Sequence, residues 1–270
     1  MDEDTQWIVE EIENESGVAP AFVADQDSDV ESGPQAESKS VAPKAKNAKK
    51  RDRLEKLKAA SKRHRQEKHN RNPMHGVELL GADQQAAAFQ SLLNNTSSLE
   101  QIEASDFVDL SSEKQQHDIA ALPKTIKSIQ ANWKEKLLGK RNPGGLVLLF
   151  LTYSAARAVQ IIKVLRQFQT NKLPIAKLFA KHLKIEEQIE VLEGDVRIAV
   201  GTPNRLLKLF DAGALSSAQL EHVVIDMGLD AKNFNLFDID AIRSDFLTLF
   251  TKYLASSMKS QKGKLRLCLY

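Results

Sequence analysis

Apolar residues follow two different rhythms along this chain, and the change comes near Gly145. Between residue 72 and about Leu138 they recur at three- and four-residue steps over Ala86–Leu93, Leu99–Ile102 and Ile119–Leu138, which predicts helices. Arg141-Asn142-Pro143-Gly144-Gly145 breaks that pattern. Beyond it, short continuous apolar runs alternate with segments of helical period. Strands are predicted at Leu146–Tyr153, Ile175–Phe179, Val196–Val200, Val223–Asp226 and Leu265–Tyr270. Helices are predicted at Ser154–Phe168, Ile185–Leu192, Pro203–Asp211 and Ala241–Ser256. Runs such as LVLLFL and VVI offer no polar side, as strands covered on both faces require. The alternation predicts an α/β fold, a mostly parallel sheet with crossover helices on its faces.

Charge divides the part before residue 72. Residues 1–40 hold twelve Asp/Glu and one Lys, and residues 1–43 have few apolar groups to offset the entropy of ordering, so this stretch is expected to be disordered. Trp7, Ile8 and Val9 stand out in it, either as a docking motif for a protein partner or as an incidental apolar island. Residues 44–71 carry thirteen Lys/Arg against Asp52, Glu55 and Glu67, with only Leu54 and Leu57 as sizeable apolar groups. That stripe is too narrow for a packed helix, so a basic arm, helical or disordered, is expected. Lys49, Lys50, Arg51, Arg53, Arg63 and Arg65 are its candidate RNA contacts, because clustered cations release counterions on meeting phosphate. KKRDR also fits a nuclear-import patch, and a solvated charged linker is the plain alternative. Residues 72–270 hold 24 basic and 21 acidic side chains, close to balance.

Other chemistry is thin. Cys268 is the single cysteine, so no internal disulfide forms and a reducing compartment is expected. The six histidines and Cys268 lack zinc-ligand spacing, and the longest apolar run, Leu146–Leu151, is far short of a membrane span. A soluble intracellular protein without metal or cofactor is the expectation, with no membrane and no small-molecule substrate among its partners.

Three segments suggest a phosphate-facing edge. In GTPNRL, Gly201 to Leu206, Thr202 suits a helix N-cap and Pro203 the first turn, leaving N–H groups and a positive dipole end at the carboxyl edge of the sheet. Asn204 and Arg205 lie in that turn, and Ser154 opens the helix after the first strand in LFLTYSAARAVQI. Ser154, Thr202, Asn204 and Arg205 are therefore candidate RNA contacts. The plain reading is two ordinary strand-to-helix turns. VVID, Val223 to Asp226, ends a strand in a carboxylate, which caps the next turn or faces a cation. A triphosphate cradle needs Gly-x-x-x-x-Gly-Lys-Ser/Thr after a strand. The nearest piece is Leu138-Gly139-Lys140-Arg141, with no strand before it.

These segments resemble the first RecA-like domain of DEAD-box RNA helicases. GTPNRL is similar to the TPGRL motif, LFLTYSAARAVQI to LAPTRELAVQI, and VVIDMGLD to the strand ending in Asp-Glu-Ala-Asp. Met227 stands at the position of the water-activating Glu, and Asn204 at that of a Gly. The chain also stops at Leu265–Tyr270, where the helicases run on into a second RecA domain. The resemblance therefore implies a pseudo-helicase with no catalytic residues, not an enzyme. Together with the acidic tail, the basic arm and KLFAKHLK before GTPNRL, it also extends to the Cms-type family of U3-containing 90S pre-ribosomal complex subunits. That implies a nucleolar, non-catalytic assembly factor binding pre-ribosomal RNA and other 90S pre-ribosome proteins in rRNA processing. The alternatives are a protein scaffold whose folded domain touches no RNA, and an ATP-dependent helicase-like enzyme. Three parts are expected: a tail over 1–43, an arm over 44–71, and a degenerate RecA-like domain with a helical extension over 72–270.

Overall fold

The structure, a computed structural model, describes residues 55–56, 58–60, 63, 72–93, 102–111, 118–139, 145–181, 183–261 and 263–270. The described residues belong to two units that divide after Arg63. In the first, Glu55, Lys56, Lys58, Ala59, Ala60 and Arg63 are helical and exposed. Trp7, Ile8, Val9, Lys49, Lys50, Arg51, Arg53 and Arg65 lie outside the described residues.

The second unit is built on five parallel strands: β1 (Leu148–Leu151), β2 (Ile175–Leu178), β3 (Ile198–Gly201), β4 (His222–Ile225) and β5 (Arg266–Leu269). Their order is β2-β3-β1-β4-β5, with Leu151 level with both Gly201 and Ile225. Each predicted strand forms: the first, second and fifth are shortened, β3 starts later and runs one residue past its predicted end to Gly201, and β4 is shifted back by one residue to His222. Side chains alternate across a strand. Leu149, Leu151, Ala199, Val223, Ile225, Leu267 and Leu269 thus join one apolar cluster, while Leu148, Phe150, Val200, Val224 and Cys268 are buried outside it. Beyond β5, Phe107 bridges Leu267, and the Val108 N–H donates to the Leu267 carbonyl at 2.8 Å.

The helices are α1 (Ala82–Leu93), α2 (Leu122–Ile129), α3 (Trp133–Leu138), α4 (Ala155–Leu165), α5 (Ile185–Glu193), α6 (Pro203–Asp211), α7 (Asp240–Leu249) and α8 (Ala255–Gln261). One predicted helix, Ile119–Leu138, is two: Asn132 adopts a left-handed conformation (φ 58) that ends one axis and starts another. The predicted Ala241–Ser256 runs on to Gln261 through a π-helical stretch, Phe250–Leu254. Phe246, Phe250, Leu254 and Met258 are all buried at a strict four-residue repeat. An ideal α-helix drifts about 40° per four residues, and the wider turn cancels that drift so the row stays on the core.

Phe89 pins α1 to this row, with ring centroids 5.0 Å from Phe250, 6.0 Å from Phe246 and 5.7 Å from Phe107. Edge-to-face aromatic pairs each add about 0.5–1.5 kcal/mol beyond the area they bury. A buried polar staple does the same for the start of the unit. The Asn72 amide donates to Asn235 Oδ1 (3.0 Å) and Asp238 Oδ1 (2.9 Å), and His75 Nε2 lies 2.7 Å from Asp238 Oδ2. None of the described helices is long and apolar enough to cross a membrane.

Candidate functional site

Strands β1 and β4 are neighbours in register, so the residues just after them, Thr152 and Asp226, meet at the carboxyl edge of the sheet. The Asp226 N–H continues the ladder to the Leu151 carbonyl at 2.9 Å. Its side chain is buried, and both oxygens are fully engaged. Oδ2 accepts from the Thr152 hydroxyl (2.7 Å) and from Arg157 Nε (3.0 Å). Oδ1 accepts from Arg157 Nη2 (3.0 Å) and from the Gly228 N–H (3.2 Å). A carboxylate has about four lone-pair sites. All are taken, and the fork-to-fork pairing with a guanidinium is the strongest geometry such a pair can adopt.

Arg157 comes from the first turn of α4. Ser154 caps that helix, its hydroxyl oxygen accepting from the Arg157 N–H at 3.2 Å, and the cap aims the arginine across the strand ends. Burial pulls the guanidinium pKa down, but the hydrogen bonds and charge of Asp226 outweigh it and leave the pKa raised. Half-buried Tyr153 beside them has its phenol pKa raised by burial first and by the Asp226 charge second. The expected turn cap by Asp226 is present as the Gly228 contact. Arg157 was not singled out from sequence, although a cation in the first turn after a strand beside Asp226 is the signal that would have found it. With that cation in place, no lone pair faces outward to receive Mg²⁺, and the donor set does not fit a nucleotide-bound metal. Among the described residues no group of His, Cys, Asp or Glu is arranged to hold a metal ion.

The second turn lies at the end of β3. Gly201 allows β2 and β3 to close up, since a Cβ there would meet the Leu178 carbonyl oxygen at 2.5 Å. Thr202 stands at the N-cap of α6 with extended backbone, yet its side chain makes no capping bond, unlike the expectation from GTPNRL. Its N–H instead donates to the Leu178 carbonyl at 3.1 Å, so the strand ladder and Pro203 set the helix entry. The Asn204 amide donates to Asp245 Oδ2 of α7 at 3.1 Å. Arg205 Nη1 donates to Gln188 Oε1 at 2.9 Å, and the Gln188 amide donates on to the Lys177 (2.8 Å) and Phe179 (3.0 Å) carbonyls. Gln188, also not singled out from sequence, thereby supplies edge strand β2 with donors that a further strand would otherwise give.

The four candidate residues at this edge thus stand after two adjacent strands, with Ser154 engaged as a cap, Asn204 and Arg205 engaged with neighbouring elements, and the Thr202 side chain making no capping bond. At the far side of the sheet, after Phe107–Val108, Asp109 Oδ1 takes the Ser111 N–H at 2.8 Å. Gly139 ends α3, a helix and not a strand.

Residues 28–270 match the family described as "CMS1: U3-containing 90S pre-ribosomal complex subunit". Curated relatives include "Protein CMS1" of Chaetomium thermophilum, 38% identical over 142 residues, covering 51% of this chain and 56% of the relative. "Protein CMSS1" of Homo sapiens is 31% identical over 149 residues, 54% of this chain and 53% of that one. "Protein cms1" of Schizosaccharomyces pombe is 28% identical over 195 residues, 66% of this chain and 68% of its own length. The matched segment spans about half the length of the first two relatives. Among solved structures, a DEAD box protein from the hyperthermophile Methanococcus jannaschii is similar over 65% of this chain and 48% of its own, at 15% identity and a TM-score of 0.37.

Proposed function

Because this chain belongs to the family of U3-containing 90S pre-ribosomal complex subunits, we propose that it is a non-catalytic assembly factor of small-subunit pre-ribosomes that binds RNA or ribonucleoprotein in the nucleolus. The observation that carries the non-catalytic part is the saturated carboxylate of Asp226. Its four acceptor positions are spent on Thr152, Arg157 and Gly228, so it has nothing left with which to hold a metal or orient water. Met227 follows it, and a thioether takes no proton from water.

RNA contact rests on the basic arm first and on the edge residues Ser154, Thr202, Asn204 and Arg205 second. The partners are pre-ribosomal RNA and other 90S pre-ribosome proteins, with Trp7, Ile8 and Val9 as a protein-docking motif. The test is the salt dependence of RNA affinity for the full chain and for a chain with Lys49, Lys50, Arg51, Arg53, Arg63 and Arg65 changed to Gln. Each lost phosphate contact should lower the slope of log K against log salt by roughly 0.7 for single-stranded RNA. Unchanged affinity and slope in the six-fold variant would remove the arm from the interface.

A second reading, a protein scaffold whose folded domain touches no RNA, is favoured by the engagement of Asn204 with Asp245 and of Arg205 with Gln188. Under it, RNA affinity falls to background with the arm neutralised, while capture of 90S proteins persists.

A further inference from the structure

Charge is segregated onto the helices α2, α3 and α4. Residues 119–138 and 154–168 carry seven Lys/Arg against one acid, Glu135, although residues 72–270 as a whole are close to balance. Two of the seven are committed, Arg157 to Asp226 and Lys136 to Glu221. Lys124, Lys127, Lys134, Lys163 and Arg166 remain, all exposed and with no ion-pair partner among the described residues. They share one surface. Helix α2 packs on α4, and the Lys127 ammonium donates to Gln167 Oε1 at 2.6 Å across that contact. Lys124 precedes Lys127 by three residues and Lys163 precedes Arg166 by three, so each pair lies on one helix face. Like charges that close on a helix repel each other, a cost that a polyanion offsets. Lys127 and Lys163 stand in last helical turns, where a cation suits the helix dipole. Lys134 does not: it lies in the first turn of α3, where the dipole opposes a positive charge.

An aromatic ring stands among these cations. Trp133 is half-buried and packs edge-to-face with the buried Phe168 ring, their centroids 5.5 Å apart and their planes at 84°. Lys127 Nζ lies 5.1 Å and Lys134 Nζ 5.7 Å from the indole centroid. Both lysines are exposed, so the ring is reached from solvent. A cation over such a ring is worth about a two- to fivefold preference at an exposed site. A nucleobase stacked there is worth about five- to a hundredfold. A base therefore displaces the ammonium groups from the indole and leaves them beside its own phosphates. An acidic peptide would draw on the cations alone and leave the indole unused.

We infer that this face of the folded domain binds single-stranded RNA, with a base stacked on Trp133 and the flanking phosphates held by Lys124, Lys127, Lys134, Lys163 and Arg166. It is a different surface from the carboxyl edge of the sheet: α4 runs eleven residues from its cap at Ser154, which puts its last turn roughly 16 Å away. The inference rests on the RNA-binding reading above. It gives the folded domain a contact of its own that needs neither the basic arm nor Ser154, Thr202, Asn204 and Arg205.

The experiment uses the full chain with its six arm cations changed to Gln and with Trp7→Phe, so that indole fluorescence reports Trp133 alone. It is titrated with a single-stranded oligoadenylate and, separately, with poly-glutamate of equal charge. Saturable quenching by the RNA is expected, at an affinity the poly-glutamate does not match. Lys124→Gln, Lys163→Gln and Arg166→Gln together should lower the slope of log K against log salt by about 2, three contacts at roughly 0.7 each. All three side chains are exposed, so this variant should keep its melting temperature. Trp133→Leu should weaken RNA binding about fivefold or more, while Trp133→Phe, which keeps a stacking face, retains most of it. An unchanged salt slope in the triple variant, Trp133 emission indifferent to RNA, or poly-glutamate binding as tightly as RNA would overturn the inference. RNA affinity of the chain with its arm intact, measured alongside, separates the two readings. Binding that needs the arm and ignores the α2–α4 changes sinks this inference and leaves the RNA-binding reading standing, whereas no RNA affinity with the arm intact removes both.

Discussion

Arg157 and Asp226, far apart in sequence, meet through two parallel hydrogen bonds of 3.0 Å each, with side chains 18% and 5% exposed. The pair ties α4 to the end of β4 and closes the carboxyl edge of the sheet with neutralised charge. It stands where the helicase resemblance leads one to expect a metal-facing carboxylate.

Removing one partner leaves a buried, uncompensated charge, which typically costs about 3–5 kcal/mol. Arg157→Met and Asp226→Asn should each lower stability in urea denaturation, the arginine change by the larger amount because it strands a carboxylate. The double variant should be less destabilised than the sum. An additive result in that cycle would mean the two side chains act independently.

Gly228 is small because of this pair. A Cβ at Gly228 would sit 2.5 Å from Arg157 Nη2 and 2.9 Å from Asp226 Oδ1. Gly228→Ala is expected to cost about 1–3 kcal/mol through overpacking. The loss should shrink in the Arg157→Met background, where the guanidinium atoms that crowd this position most closely are gone and only Asp226 Oδ1 remains. Equal losses in both backgrounds would place the cost in the backbone and not in the contact.

Stability should also depend on pH through His222. Burial first, then the Arg266 charge, depress its folded pKa to about 4, below the ordinary value of 6.5. Between those values the unfolded chain binds a proton that the folded chain refuses. The contribution is therefore fully present above about pH 6.5 and is lost as pH falls towards 4, on the order of 3 kcal/mol in all. Melting temperature against pH should fall over that window, and His222→Gln should flatten that part of the curve. A wild-type profile that stays level from pH 7 to 4 would show that the ring is not buried in its neutral form.

Arg205 has two roles that can be separated. Arg205→Glu should weaken RNA binding and lower the salt slope by roughly one contact if the side chain meets phosphate. Gln188→Leu should instead free the Lys177 and Phe179 carbonyls, speed amide exchange around β2, and destabilise by about 1–3 kcal/mol. If Gln188→Leu weakens RNA binding as much as Arg205→Glu does, the arginine acts by positioning the edge and not by touching RNA.

Much of this molecule is present in the sequence by itself. Apolar runs bounded by turn residues located all five strands and the helices between them, because a strand covered on both faces has no room for a polar side. The uneven charge of residues 1–71, acidic first and then basic, is equally plain, since it needs no tertiary context. The end of Ile119–Leu138 as one helix was hidden, because a left-handed Asn132 leaves the apolar rhythm on both sides intact. So was the π turn at Phe250–Leu254, whose four-residue repeat differs from a helical one by too little to notice in a short window.

Partnership between distant side chains was decided only by the tertiary structure. Arg157, Asp226 and Thr152 come from two strand ends and a helix, and no local pattern says that β1 and β4 lie side by side. His222 reads as one polar residue opening an apolar strand. Only the folded chain sets Arg266 beside it. Local sequence carries secondary structure because backbone preferences and burial patterns act over a few residues. Sites depend on which strands become neighbours, and that is set by the packing of the whole sheet.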